Sequence, residues 1–135
     1  MSLKKLSLAL FVSVAMLGAA PSTMAKPAGK IENATRADTV IAIKDTIALS
    51  EEALQAVKDG SLEKAEMMAL FKKVKQTAKT IESTTTYMLR ERALGRLGKA
   101  RLAYKKGKEQ SEVIAKMEKA VETFKAMKVR FDEFN

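Results

Sequence analysis

The residues best placed to do chemistry are arginines and lysines clustered in the second half of the chain. Across 19 consecutive positions, eight basic residues are opposed only by Glu91. They are Arg90, Arg92, Arg96, Lys99, Arg101, Lys105, Lys106 and Lys108. On a helix, positions 92, 96 and 99 share a face, and positions 101, 105 and 108 form a second row beside it. These eight residues are the candidate interaction surface.

A dense basic surface attracts an acidic protein or an anionic envelope surface. The alternative interpretation is a solvated polar face, neutralised by acidic residues on neighbouring helices. Nucleic acid is disfavoured as a partner because aromatic residues do not interleave with the basic ones. The sequence leaves both the partner and the alternative open.

Catalytic and metal chemistry find little support in the composition. The chain has no histidine and no cysteine, which excludes imidazole bases, imidazole ligands and thiolates. Thioethers bind Cu(I) or haem iron, but methionine most often fills a core. The methionines beyond the N-terminal segment are Met67, Met68, Met88, Met117 and Met127.

Carboxylates on facing helices can also hold metals, usually together with histidines. The candidates here, Glu63, Glu66, Glu112 and Glu118, stand among lysines at surface-like positions. We therefore predict no catalytic, cofactor or metal site and no enzyme. The alternative is a metal- or haem-carrying bundle that uses methionine and carboxylate ligands.

The first 25 residues have the three parts of an export signal. Lys4 and Lys5 precede an apolar run over 6–20, and small residues at Thr23 and Ala25 predict cleavage after Ala25. The run is shorter than the roughly 20 residues that span a bilayer, although an uncleaved membrane anchor is the alternative. The chain carries a formal charge of +9, so removal of the two leader lysines leaves +7. We expect export to the periplasm, with secretion as the alternative.

The mature chain is predicted to be all-α. Residues 26–35 form a flexible lead-in, and residues 36–135 form four helices, over 36–59, 62–82, 87–106 and from about 111 onwards. Thr35 and Asp38 approximate a capping box at the first helix, and Asn33-Ala34-Thr35 also matches a glycosylation sequon. Gly60 and Gly107 mark tight turns. Three threonines over 84–86 predict a loop at 83–86, with a kinked continuous helix as the alternative.

Apolar residues recur at three- and four-residue steps in each predicted helix. The predicted inward-facing residues are Val40, Ile43, Ile47, Ser50, Leu54 and Val57; Met67, Leu70, Phe71, Val74, Ala78 and Ile81; Leu89, Ala93, Leu97, Ala100 and Tyr104; and Val113, Met117, Ala120, Phe124, Met127, Phe131 and Phe134. With short turns between the helices, this pattern predicts an antiparallel, up-down-up-down four-helix bundle built from two helical hairpins.

The two hairpins share a repeated frame with an offset of 47 residues. Ala53, Ala56, Lys58 and Gly60 correspond to Ala100, Ala103, Lys105 and Gly107. Similar bundle patterns without a duplication would produce the same correspondence. A helix that ends in Ala-x-x-Ala-x-x-x-Gly before a returning helix resembles the small metal-binding proteins of the bacterial periplasm. That resemblance implies duplicated hairpins, but no ligand carries over because the family binds divalent metals through histidines.

Taken together, these features predict an exported, non-enzymatic helical bundle that acts as a periplasmic binding or interaction module. Two other classes of exported helical protein are similar in size. The soluble b-type cytochromes need a histidine, and the helical chaperones of the envelope stress response carry a Leu-Thr-x-x-Gln motif; neither feature occurs here.

Overall fold

Four helices make up nearly all of the part of the chain that the computed structural model describes, residues 35–134. They are α1 (Arg36–Asp59), α2 (Lys64–Lys79), α3 (Tyr87–Lys105) and α4 (Gln110–Phe134). The described range contains no strand, and the prediction of an all-α, four-helix bundle is confirmed. The predicted leader, the cleavage position after Ala25, and the lead-in up to residue 34 with its sequon asparagine lie outside the described residues.

Each helix packs against two neighbours. α1 and α3 both contact α2 and α4, whereas α1 does not contact α3 and α2 does not contact α4 within the described residues. The smallest of the four interfaces lies between α2 and α3. This arrangement suits two hairpins, α1–α2 and α3–α4, joined mainly where α1 meets α4.

Two ion pairs between α1 and α4 run in opposite order along the chain. The Glu51 carboxylate lies 2.9 Å from Lys125 Nζ, and Lys58 Nζ lies 3.9 Å from the Glu118 carboxylate. Residue numbers therefore rise along α1 as they fall along α4. Antiparallel neighbours produce this order.

α1 begins and ends with the residues that the sequence indicates. The Asp38 amide donates to Thr35 Oγ1 at 3.0 Å, and the Thr35 amide donates to the Asp38 carboxylate at 3.3 Å, which completes the capping box. Gly60 adopts a left-handed conformation with φ of 62° and donates its amide to the Ala56 carbonyl at 2.9 Å. A glycine tolerates this conformation because it has no Cβ.

α2 is shorter than the predicted span of 62–82, beginning at Lys64 and ending at Lys79. Its last turn tightens, because the Thr80 amide donates to the Thr77 carbonyl at 3.1 Å, and Thr80 Oγ1 donates to the same carbonyl at 2.7 Å. The Ile81 carbonyl accepts a hydrogen bond from Arg90 Nη1 at 2.8 Å instead of continuing the helix. The chain between Lys79 and Tyr87 is therefore a loop and not a kinked helix, and it starts earlier than position 83.

The predicted inward faces of α2 and α4 are buried, with one exception. Phe134 is 59% exposed because it stands at the end of α4. On α3, Ala93, Leu97 and Ala100 are buried, while Leu89 and Tyr104 are half-buried.

The predicted inward face of α1 is partly wrong. Ile43, Ser50 and Val57 are buried, but Val40, Ile47 and Leu54 lie at the edge. The remaining buried positions of α1 hold small or hydroxyl side chains: Thr39, Ala42, Thr46, Ala53 and Ala56.

Small hydroxyl residues can occupy this face because their polar atoms bond to their own helix. Thr46 Oγ1 donates to the Ala42 carbonyl at 2.7 Å, and Ser50 Oγ donates to the Ile47 carbonyl at 2.8 Å. Apolar periodicity therefore identified part of the contact face of α1 and missed the small and hydroxyl residues that complete it.

The structure predicts unequal roles for two phenylalanines of α4. Phe124 is fully buried, so Phe124→Ala should lower the free energy of unfolding by about 3–5 kcal/mol. Phe134→Ala should cost less than about 1 kcal/mol, because that ring is exposed and the Arg130 guanidinium lies 5.0 Å from its centroid. Urea unfolding followed by circular dichroism measures both changes. Equal losses would contradict the described position of α4.

Candidate basic interaction surface

α3 carries the basic cluster on a helix that contributes only a narrow side to the core. Its buried residues are Ala93, Leu97, Ala100 and Ala103. The rest of its circumference faces solvent or the edges of α2 and α4, so most of its charged side chains lie outside the bundle.

Arg90 is held by contacts within the chain. Its Nη1 donates to the Ile81 carbonyl, its Nη2 lies 3.1 Å from the Glu91 carboxylate, and its guanidinium lies 5.1 Å from the centroid of the Tyr87 ring. The bond to Ile81 joins the first turn of α3 to the start of the preceding loop. Arg90 therefore has a structural role.

Arg96 is also held within the chain. Its Nη1 donates to Thr123 Oγ1 at 2.6 Å, and the same hydroxyl donates to the Lys119 carbonyl at 2.7 Å. Thr123 is buried at the interface between α3 and α4. Spacing places Arg96 beside Arg92 and Lys99, but this bond turns its guanidinium towards α4.

Six of the eight predicted residues remain as the basic surface, the name used below for this set. They are Arg92, Lys99, Arg101, Lys105, Lys106 and Lys108, and all are exposed. Within residues 35–134, none of the six lies within 4.0 Å of a carboxylate. The acids of α1 and α4 that form ion pairs between helices, Glu51 and Glu118, contact Lys125 and Lys58 instead.

Contacts at the end of α3 add further positive charge. Lys64 Nζ donates to the Lys105 carbonyl at 3.1 Å, which brings a lysine of α2 beside the C-terminal end of α3. Nearby, the Tyr104 ring lies 5.8 Å from that of Phe71. Burial and then the negative charge of Glu63 raise the pKa of the Tyr104 hydroxyl. A cation is favourable at a helix C-terminus because of the helix dipole.

The outer side of α3 is uneven. Met88, Gly95 and Leu102 are seven residues apart and therefore lie along one side of the helix. Met88 is 69% exposed and Leu102 is 46% exposed. A Cβ added at Gly95 or Gly98 would meet no neighbouring atom within 4 Å. The two glycines thus face open space, and no close contact with another described helix accounts for them.

The remaining candidates for chemistry lie apart from this surface. Met67, Met117 and Met127 are buried in the core, Met68 is half-buried and Met88 is exposed. The acidic candidates Glu63, Glu66, Glu112 and Glu118 are all exposed. No group of three or more acidic residues in the described range is arranged to hold a metal ion. None of the four helices is long and apolar enough to cross a bilayer.

Two polar contacts between helices could not be read from the sequence. One is the bond between Arg96 and Thr123. The other is the Gln110 side-chain amide, whose Nε2 donates to the carbonyls of Val57 at 2.7 Å and Lys58 at 3.0 Å. Gln110 thereby closes the C-terminal end of α1 from the first residue of α4. Hydrophobic periodicity carries no signal for either contact.

We predict that Arg96 and Arg92 differ in their effect on stability. Arg96→Gln should lower the free energy of unfolding by about 1–2 kcal/mol, because it removes a charged donor from a buried hydroxyl. Arg92→Gln should change it by less than about 0.5 kcal/mol, as is usual at an exposed surface position. Thermal and urea unfolding of the two variants measure the difference. Equal stability would contradict the bond to Thr123.

Comparison with known proteins identifies no relative: no protein-family model, curated protein or solved structure matches the chain. The resemblance to small metal-binding proteins therefore stays a prediction.

Proposed function

We propose that this protein is an exported, non-enzymatic binding module of the periplasm, and that the basic surface of α3 contacts an anionic partner. The observation that carries the proposal is the set of six exposed cations without an ion-pair partner in the described range. Four of them, Arg92, Lys99, Arg101 and Lys105, belong to one helix of 19 residues. Lys106 and Lys108 extend the surface into the following turn.

Three features favour a binding role over a solvated face. Arg90 and Arg96 form hydrogen bonds within the chain, whereas the six residues of the basic surface form no ion pair in the described range. Acids on neighbouring helices form their ion pairs with other lysines. A concentration of like charge also disfavours the compact state through repulsion. An anionic partner would relieve that repulsion.

A basic surface of this kind would mainly affect the rate of association with a partner and the choice between partners. Complementary charge raises association rates and rejects cationic partners, and its effect weakens as salt increases. The partner can be an acidic protein or an anionic envelope surface. The proposed export rests on the leader and its predicted cleavage after Ala25.

The test compares two variants of equal net charge. Arg92, Lys99 and Arg101 are replaced by glutamine in one; Lys72, Lys75 and Lys119, which are exposed on α2 and α4, are replaced in the control. On a carboxylated matrix at pH 7, we expect the α3 variant to elute at clearly lower salt than the control, because it loses the concentrated charge. Matching circular dichroism spectra show that both are folded. Elution at the same salt would contradict the proposal.

A second experiment tests the alternative of a metal or haem carrier. The protein purified from its native host should show no stoichiometric metal and no visible absorbance band. Metal analysis and an absorbance spectrum of the same sample suffice. A stoichiometric metal or chromophore would overturn the interaction module in favour of the carrier.

A further inference from the structure

We propose that the basic surface docks an acidic helix of a partner protein, which crosses α3 over Gly95 and Gly98. This inference rests on the proposed function, because it takes the basic surface as a binding face. It adds the form of the partner: a helix with a small-residue face, bordered by carboxylates.

Charge complementarity decides what kind of surface covers this face. Arg92 and Lys99 lie along one border of the glycines, and Arg101 and Lys105 lie along the other. The strip between the two borders also holds Glu91, four residues before Gly95, whose carboxylate is paired with Arg90 Nη2 at 3.1 Å. The occupant must therefore present negative charge on the two borders and no charge over the glycines. A helix with acidic residues on both sides of an alanine-rich stripe has this layout.

A second copy of the chain fits the face poorly. Two α3 helices would oppose cations to cations. On α1, the Glu51 carboxylate is already paired with Lys125, and the Asp59 carboxylate accepts a hydrogen bond from Gln55 at 3.0 Å. Glu52 is half-buried on α1, and burial raises the pKa of its carboxyl, an effect that the charge of Lys73 opposes. Each mature copy also carries an excess of seven positive charges. The occupant is therefore a different, anionic molecule.

The shape of α3 favours a helix over a lipid surface. Met88 and Leu102 are about 21 Å apart along the helix, at 1.5 Å per residue. Between them the two glycines leave the backbone uncovered. Helices that lie on membranes bury a continuous row of bulky apolar side chains. On this side of α3, only Met88 and Leu102, at the two ends, are bulky and apolar. Small residues instead allow the backbones of two helices to approach closely.

The two glycines also destabilise the helix of the free protein, and a role in binding a partner would explain why they are present. An exposed glycine within a helix is destabilising relative to alanine. Gly95 and Gly98 face no other described helix, so packing inside the bundle does not offset this cost. We therefore expect opposite effects when they change: alanine stabilises the free bundle, and larger side chains weaken docking.

The experiment uses the full exported chain and three probes. The first is a synthetic helical peptide with an alanine stripe bordered by glutamates. The second is the same peptide with a central Ala→Pro change, which keeps the charge and breaks the helix. The third is a vesicle of phosphatidylglycerol and phosphatidylethanolamine. We expect the helical peptide to bind roughly tenfold more tightly than the proline peptide and more tightly than the vesicle.

The decisive variants are Gly95→Leu with Gly98→Leu, matched by Ala115→Leu with Ala126→Leu on the exposed side of α4. The α3 pair should weaken binding of the helical peptide by about tenfold or more, and the α4 pair should leave it unchanged. The milder pair Gly95→Ala with Gly98→Ala should raise the unfolding midpoint and still reduce binding. This pair tests the inference in a bundle that is folded.

The possible negative binding results distinguish helix docking from the basic surface itself. If both glycine pairs bind the helical peptide as tightly as the unaltered chain does, helix docking is overturned. The loss of binding in the Arg92, Lys99 and Arg101 glutamine variant would then still support the basic surface. If that glutamine variant also binds normally, the proposed function fails as well. Tighter binding to the vesicle than to the helical peptide would overturn docking of a helix in favour of a lipid surface.

Discussion

The whole bundle depends on the way in which bulky and small side chains are divided among its helices. α2 and α4, which lie on one diagonal, bring the bulky residues to the centre. These include Met67, Leu70, Phe71, Met117, Phe124, Met127 and Phe131. α1 and α3, on the other diagonal, present mostly alanine, serine and threonine to them. Large side chains against small ones fill an interior at the density that proteins require.

This division determines how much of the surface of each helix is exposed to solvent. The buried side of α3 consists of three alanines and Leu97. Only these four residues are buried, so the rest of the helix circumference is free to carry charge. Arg90 and Arg96 secure the helix through a loop carbonyl and a buried hydroxyl.

The outer side of α3 then combines features that do not serve the isolated bundle. Six cations have no ion-pair partner in the described range, and two glycines weaken the helix without contacting another described one. Proteins commonly sacrifice local stability where function requires a particular surface. Our proposals assign these features to one task, the docking of an anionic helix. Repulsion among the cations and the cost of the glycines would both be offset on binding.

Much of the fold could be predicted because its signals are local. The capping box at Thr35, the left-handed turn at Gly60 and the threonine-rich loop before Tyr87 follow from the preferences of individual residues. The stripe of α4 was predicted correctly up to Phe131, because large apolar residues at three- and four-residue steps line one side of a helix and favour its burial. Phe134 follows the same steps and is exposed, because the bundle ends before it.

The sequence by itself determined the helical class, the turns and the concentration of positive charge on α3. Only the tertiary structure decided that the threonines and alanines of α1 are buried beside Ile43, Ser50 and Val57, since small residues and hydroxyls bonded within the helix give a weak apolar signal. It also separated Arg90 and Arg96 from the other cations, because their partners, Ile81 and Thr123, are 9 and 27 positions away. Helical spacing tells which side chains are neighbours on one helix. The contacts that a side chain makes with another segment depend on how the helices pack.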